Sequence, residues 1–168
     1  MLRFTVLFCT FLAVLFALEV LKPVDEHVIL PFTTGIAKLC TALISAFDSD
    51  AVSAGKVIRS NATGFAVSIE RGCNGVEAVI ILFAAIFAFP ATLRQKLAGF
   101  AVGFVAIQGL NLVRIISLFY LGQWSMTWFE WFHLYLWQAL IIIDALVVWL
   151  LWLRWLPPAA PAPAATPG

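Results

Sequence analysis

Apolar residues in this chain fall into long, nearly unbroken runs separated by short polar stretches. The first run, Phe4 to Leu21, is long enough to cross about 30 Å of hydrocarbon as a helix. A secretory signal is the other reading. Its apolar part is long for one, however, and no small-x-small cleavage site comes before Lys22-Pro23, so an uncleaved span is preferred. Three further spans are predicted at about Val76–Phe89, Leu97–Phe119 and His133–Leu153. Gly99 and Gly103 form a GxxxG step in the third, which permits close helix approach. Between the first two runs the pattern changes. Ile36, Leu39, Leu43 and Phe47 recur at three- and four-residue steps with Lys38, Thr41 and Ser45 among them. This predicts an amphipathic helix over Thr33–Phe47, too short and polar to span, lying on the membrane surface or packed on the bundle. Val57–Ser60 and Phe65–Arg71 then partly alternate around Asn61-Ala62-Thr63-Gly64, which suggests an extracytoplasmic β-hairpin whose second arm delivers the chain to Cys73. The fold class is an all-α polytopic membrane protein of about four transmembrane helices, forming one domain over residues 1–156. The Pro/Ala tail, residues 157–168, is expected to be disordered because it has nothing with which to build a core.

Composition strengthens this picture. Of 168 residues, 63% are hydrophobic and 11% charged, so most of the surface must face lipid. The tryptophans cluster in two groups, Trp124 to Trp137 and Trp149 to Trp155, as aromatic belts do at the two interfaces. A net charge of +1 offers no basic field for nucleic acid. Arg3, the Arg94/Lys96 loop and Arg154 fall on one side of a four-span topology, and the loop from Tyr120 to Phe132 has no Lys or Arg. The positive-inside rule therefore puts both termini in the cytoplasm.

That orientation assembles a candidate site. Cys73, flanked by Gly72 and Gly75, opens span two on the outer side; Arg114 lies about 7 Å below the outer end of span three; His133 opens span four. A thiol, a guanidinium and an imidazole at one depth are a nucleophile, an anion-stabilising cation and an acid/base. Each has a plainer reading. Interfacial cysteines are usually inert, His133 sits among anchoring aromatics, and Arg114 could simply pair with Glu77 to join helices. Asn111 and Gln108 could extend a polar network from Arg114, and Arg71 could be a second cation near the thiol. Asp144, about 16 Å below His133, is read as a helix-packing hydrogen bonder, and Glu130 as solvated in the outer loop. Cys9 reads as a packing residue; Cys40 and Cys73 could form a disulfide if both lie outside. If Cys73 is activated, it should react with thiol probes well below the pH of a free cysteine.

Cys73-Asn74-Gly75, then Asn111-Leu112-Val113-Arg114, then His133, in that order on successive spans, resembles the exosortase/archaeosortase superfamily of membrane transpeptidases. The wording Arg71-Gly72-Cys73-Asn74-Gly75-Val76-Glu77 and the small size look most like exosortase H, the short type associated with IPTLxxWG-CTERM substrates. The likeness covers roughly Arg71 to Leu140 and lacks the extra spans of longer exosortases. It implies a catalytic Cys73, Arg114 and His133; the residues themselves put Arg71, Gly72, Asn74, Gly75, Glu77 and Asn111 in substrate-binding or supporting roles, and no metal or cofactor is expected. The expected partners are the lipid bilayer and secreted proteins that end in a short motif, a transmembrane helix and a basic tail. The expected activity is cleavage of those signals through a thioester, on the periplasmic face of a bacterial inner membrane. A non-enzymatic membrane scaffold or assembly subunit is the alternative.

Overall fold

The computed structural model describes residues 1–157; the tail from Pro158 to Gly168 lies outside the described residues. Helix α1 (Leu2–Val20) ends at Leu21, whose backbone turns extended. A short α2 (Lys22–Val24), a π-helical turn (Asp25–Ile29) and α3 (Leu30–Ser45) follow without a break. Three strands, β1 (Ala51–Ala54), β2 (Val57–Ser60) and β3 (Ala66–Ser68), form an antiparallel meander. The chain then enters α4 (Val76–Ala88), α5 (Leu93–Trp124), α6 (Met126–Trp131), a second π-helical turn (Phe132–Leu136) and α7 (Trp137–Trp155).

Among the described residues four helices are long and apolar enough to cross a membrane: α1, Lys22–Ser45, α5, and Met126–Trp155. The protein is an all-α polytopic membrane protein with a small sheet.

The apolar interior has two centres. One lies among α4, α5 and α7, around Leu82, Ile86, Ile107 and Trp152. Gly99 and Gly103 make this packing fit: a Cβ on Gly99 would collide with the Trp152 indole, and one on Gly103 with Leu82 and Val148. Trp152 also donates its indole N–H to the Gln95 carbonyl at 3.0 Å. Helix α1 covers the other side of α4 and leaves most of its own surface exposed, as a lipid-facing helix would. The second centre lies between α3, the sheet and the C-terminal half of α5, around Ile36, Cys40, Ile44, Ile58 and Phe119. Helix α5 reaches both because its 32 residues extend about 48 Å, well beyond the hydrocarbon thickness. Its start is fixed by a capping box, in which Thr92 accepts from the Gln95 backbone N–H and Gln95 from that of Thr92.

Four expectations need correction. The second span, expected at Val76–Phe89, is the 13-residue helix Val76–Ala88, shorter than a full membrane crossing. The amphipathic segment is longer than Thr33–Phe47, and neither too short nor too polar to span: Lys22–Ser45 is continuous through a π-helical turn, with Pro23 in its first turn where a missing N–H costs nothing. Its buried face packs on β1, β2 and α5. The hairpin gains a strand, since Val52 pairs with Arg59 across a turn at Gly55, which has φ +58°. The stretch from Tyr120 to Phe132 is not a loop: α5 continues to Trp124, and Ser125 alone breaks the helix.

Candidate active site

The segment 71–75 lies between the two apolar centres, and two glycines shape it. Gly72 has φ +78° and Gly75 φ +76°, a backbone region that disfavours side chains. Gly75 is also a point of close approach, where a Cβ would lie 2.8 Å from the Gln108 amide and 3.3 Å from Asn111. Asn74, 1% exposed, accepts from the Val76 N–H at 3.1 Å, an Asx turn that leads into α4 one residue ahead of its N-cap, Gly75. Its amide donates to the Thr33 hydroxyl at 3.2 Å, which fastens the segment to α3.

Cys73 and Arg114 meet here. The Arg114 side chain is 1% exposed; its Nη1 donates to the Gly72 carbonyl at 3.0 Å and its Nη2 lies 3.5 Å from Cys73 Sγ. His133, stacked on Phe129 with ring centres 5.6 Å apart, lines the same cavity of about 190 Å³ as Cys73 and Arg114. Phe65, Val67, Ile69 and Met126 complete its apolar wall. Phe65 reaches this position because Gly122 leaves room for its ring against α5.

The structure thus brings sulfur, guanidinium and imidazole to one cavity, in a setting different from the one expected. His133 does not open its helix; it sits in the π-helical turn between α6 and α7, where the wider turn re-aims side chains. Arg114 lies ten residues before the end of α5, about 15 Å, because the helix runs on past Phe119. Glu77 does not pair with Arg114. The ion pairs of the described residues are Lys22–Glu26, Lys56–Glu70 and Arg71–Asp25, and Glu77 instead accepts from the Gly72 N–H. Arg71 turns away from the thiol and holds Asp25 at 2.7 Å. Asn111 is 2% exposed with neither amide atom bonded, and it shares a small gap with Arg114, Trp137 and Asp144. Glu130 is exposed on α6.

Burial pushes the Cys73 thiol above its ordinary value, and Arg114 only partly offsets this, while Glu77 and Glu70 add to the rise. Desolvation thus outweighs the one nearby cation, so alkylation well below the pH of a free cysteine is not expected of the resting thiol. Cys9, Cys40 and Cys73 are all free thiols. One participant escaped the sequence reading altogether. Glu19, near the end of α1, is 5% exposed, and its carboxyl lies within hydrogen-bonding reach of Glu77.

Neither a curated protein nor a solved structure matches the chain. A cysteine beside a buried arginine in a polytopic membrane bundle is accompanied by a match over residues 1–149 to the family model described as transmembrane exosortase, and the chain belongs to that family.

Proposed function

We propose that this protein is a membrane-embedded cysteine protease/transpeptidase that cleaves C-terminal sorting signals of secreted proteins. Family membership supports a membrane transpeptidase or sorting role in general. The observation that carries the finer reading is the placing of Arg114 Nη2 at 3.5 Å from Cys73 Sγ, with His133 in the same cavity.

Burial favours the neutral thiol, so a base acts first. His133 takes the Cys73 proton, and the thiolate attacks the scissile carbonyl. Arg114 stabilises the oxyanion that develops. As the C–N bond breaks, imidazolium His133 returns the proton to the leaving amine and a thioester remains. A second nucleophile then attacks the thioester, loses its proton to His133 and restores the thiol. Confining enzyme and substrate helix to one membrane plane raises their effective concentration. We place the cavity on the periplasmic face of a bacterial inner membrane, with Arg3, Arg94, Lys96 and Arg154 on the cytoplasmic side.

Cys73→Ala, Arg114→Ala and His133→Ala should each leave a substrate carrying motif, helix and basic tail unprocessed while the protein accumulates in the membrane. Normal processing by Cys73→Ala would end the proposal.

A further inference from the structure

The hydrogen bonds around Arg114 continue beyond the cysteine segment. Gly72 faces two ways: its carbonyl accepts from Arg114, and its N–H donates to Glu77 Oε1. The left-handed backbone at Gly72, φ +78°, lets one residue serve both partners. Glu77 stands in the first turn of α4, where the helix dipole favours a carboxylate. Behind it lies Glu19, the one buried residue of α1, where α1 packs on α4. Glu19 Oε1 and Glu77 Oε2 are both buried, and neither accepts a hydrogen bond from any donor. The charges facing this pair are Arg71, already engaged by Asp25 at 2.7 Å, and Asp25 itself.

Two carboxyl groups in contact in a low-dielectric setting repel unless one carries a proton. With a proton between them, the contact becomes a short hydrogen bond and the pair carries a single negative charge. That arrangement explains why an otherwise apolar helix buries an acid.

Resting on the proposed cysteine chemistry, we infer that Glu19 and Glu77 share one proton and together act as positioning residues. Glu19 holds Glu77, Glu77 holds the Gly72 peptide, and the Gly72 carbonyl holds Arg114 against Cys73. Neither acid touches substrate.

The test uses the full chain in proteoliposomes with Glu19→Gln, Glu19→Met and Glu77→Ala. Glutamine keeps a donor toward Glu77, whereas methionine keeps only the volume. Glu19→Gln should leave turnover within about twofold, Glu19→Met should lower kcat about tenfold, and Glu77→Ala about a hundredfold, the cost of a misplacement of about 1 Å. KM should stay nearly constant in all three. Alkylation of Cys73 by iodoacetamide at fixed pH should follow the same order, because the thiolate loses a fixed Arg114. Infrared difference spectra should show a protonated carboxyl that exchanges in heavy water and vanishes in Glu19→Gln. Full turnover and alkylation in Glu19→Met, or no such band in the unmodified protein, overturns the inference. Should Glu19→Met fail to accumulate, the band and its loss in Glu19→Gln decide alone. If no substrate is ever cleaved, the functional proposal fails, while alkylation and infrared still judge the pair.

Discussion

Arg114→Lys separates charge from shape at the site. The guanidinium uses two arms at once, Nη1 on the Gly72 carbonyl at 3.0 Å and Nη2 toward Cys73 Sγ at 3.5 Å. A lysine ammonium is a single point of charge and cannot occupy both positions. It keeps the cation and loses one charge-assisted hydrogen bond, worth about 1.5–3 kcal/mol. If that bond matters only once charge develops on the substrate, turnover falls by about 10- to 150-fold, at 1.4 kcal/mol per factor of ten. Arg114→Met, which removes the cation as well, should fall further. The assay is single-turnover cleavage of a membrane-anchored substrate in proteoliposomes, with thermal unfolding of each variant measured in parallel. Wild-type turnover in Arg114→Lys would refute the two-armed geometry. Equal loss in both variants, with a matching collapse in Tm, would show that the arginine only joins helices.

Two further predictions concern the thiol and the bundle. Burial raises the Cys73 thiol and Arg114 opposes it, so the alkylation rate should climb only at pH values above those that ionise a free cysteine; Arg114→Ala should move the profile further to the alkaline side. A profile on the acid side of free cysteine would contradict the neutral resting state. Gly99→Ala gains about 1 kcal/mol of helix propensity, but its Cβ lands on the Trp152 indole. The ring must shift and give up its bond to the Gln95 carbonyl, for a net loss of about 1–3 kcal/mol; an unchanged Tm would refute the close approach.

The polytopic architecture and the residues that meet at the cavity were legible because their signals are local: apolar runs, flanking prolines, and a cysteine between glycines. What stayed hidden depends on contacts between distant segments. Glu19 reads as an acid near the end of a span, and only the packing of α1 on α4 sets it beside Glu77. Glu77, one turn after Cys73, looked like the partner for Arg114, yet the left-handed Gly72 puts a backbone N–H in front of it. The stretch around Trp128 and Trp131 carried the composition of an interface loop, but its six residues Met126–Trp131 are helical and run straight into the turn bearing His133. Strand β1 is four residues with little alternation, so its place in the sheet comes from pairing with β2.

The missing Glu77–Arg114 ion pair bears directly on catalysis. A buried guanidinium beside a carboxylate would already be neutralised, and a transition-state anion would have to compete for it. Here Arg114 touches a carbonyl oxygen and a sulfur whose burial favours the neutral thiol. Its field is therefore poorly compensated until the thiolate or the oxyanion forms, which is the moment at which stabilisation lowers a barrier rather than a ground state. The Gly72 peptide makes this workable by standing between cation and acid: it binds Arg114 with one face and Glu77 with the other, holding both charges in place without letting them meet. On this account, a substitution that lets Glu77 reach the guanidinium should lower turnover even while it stabilises the fold.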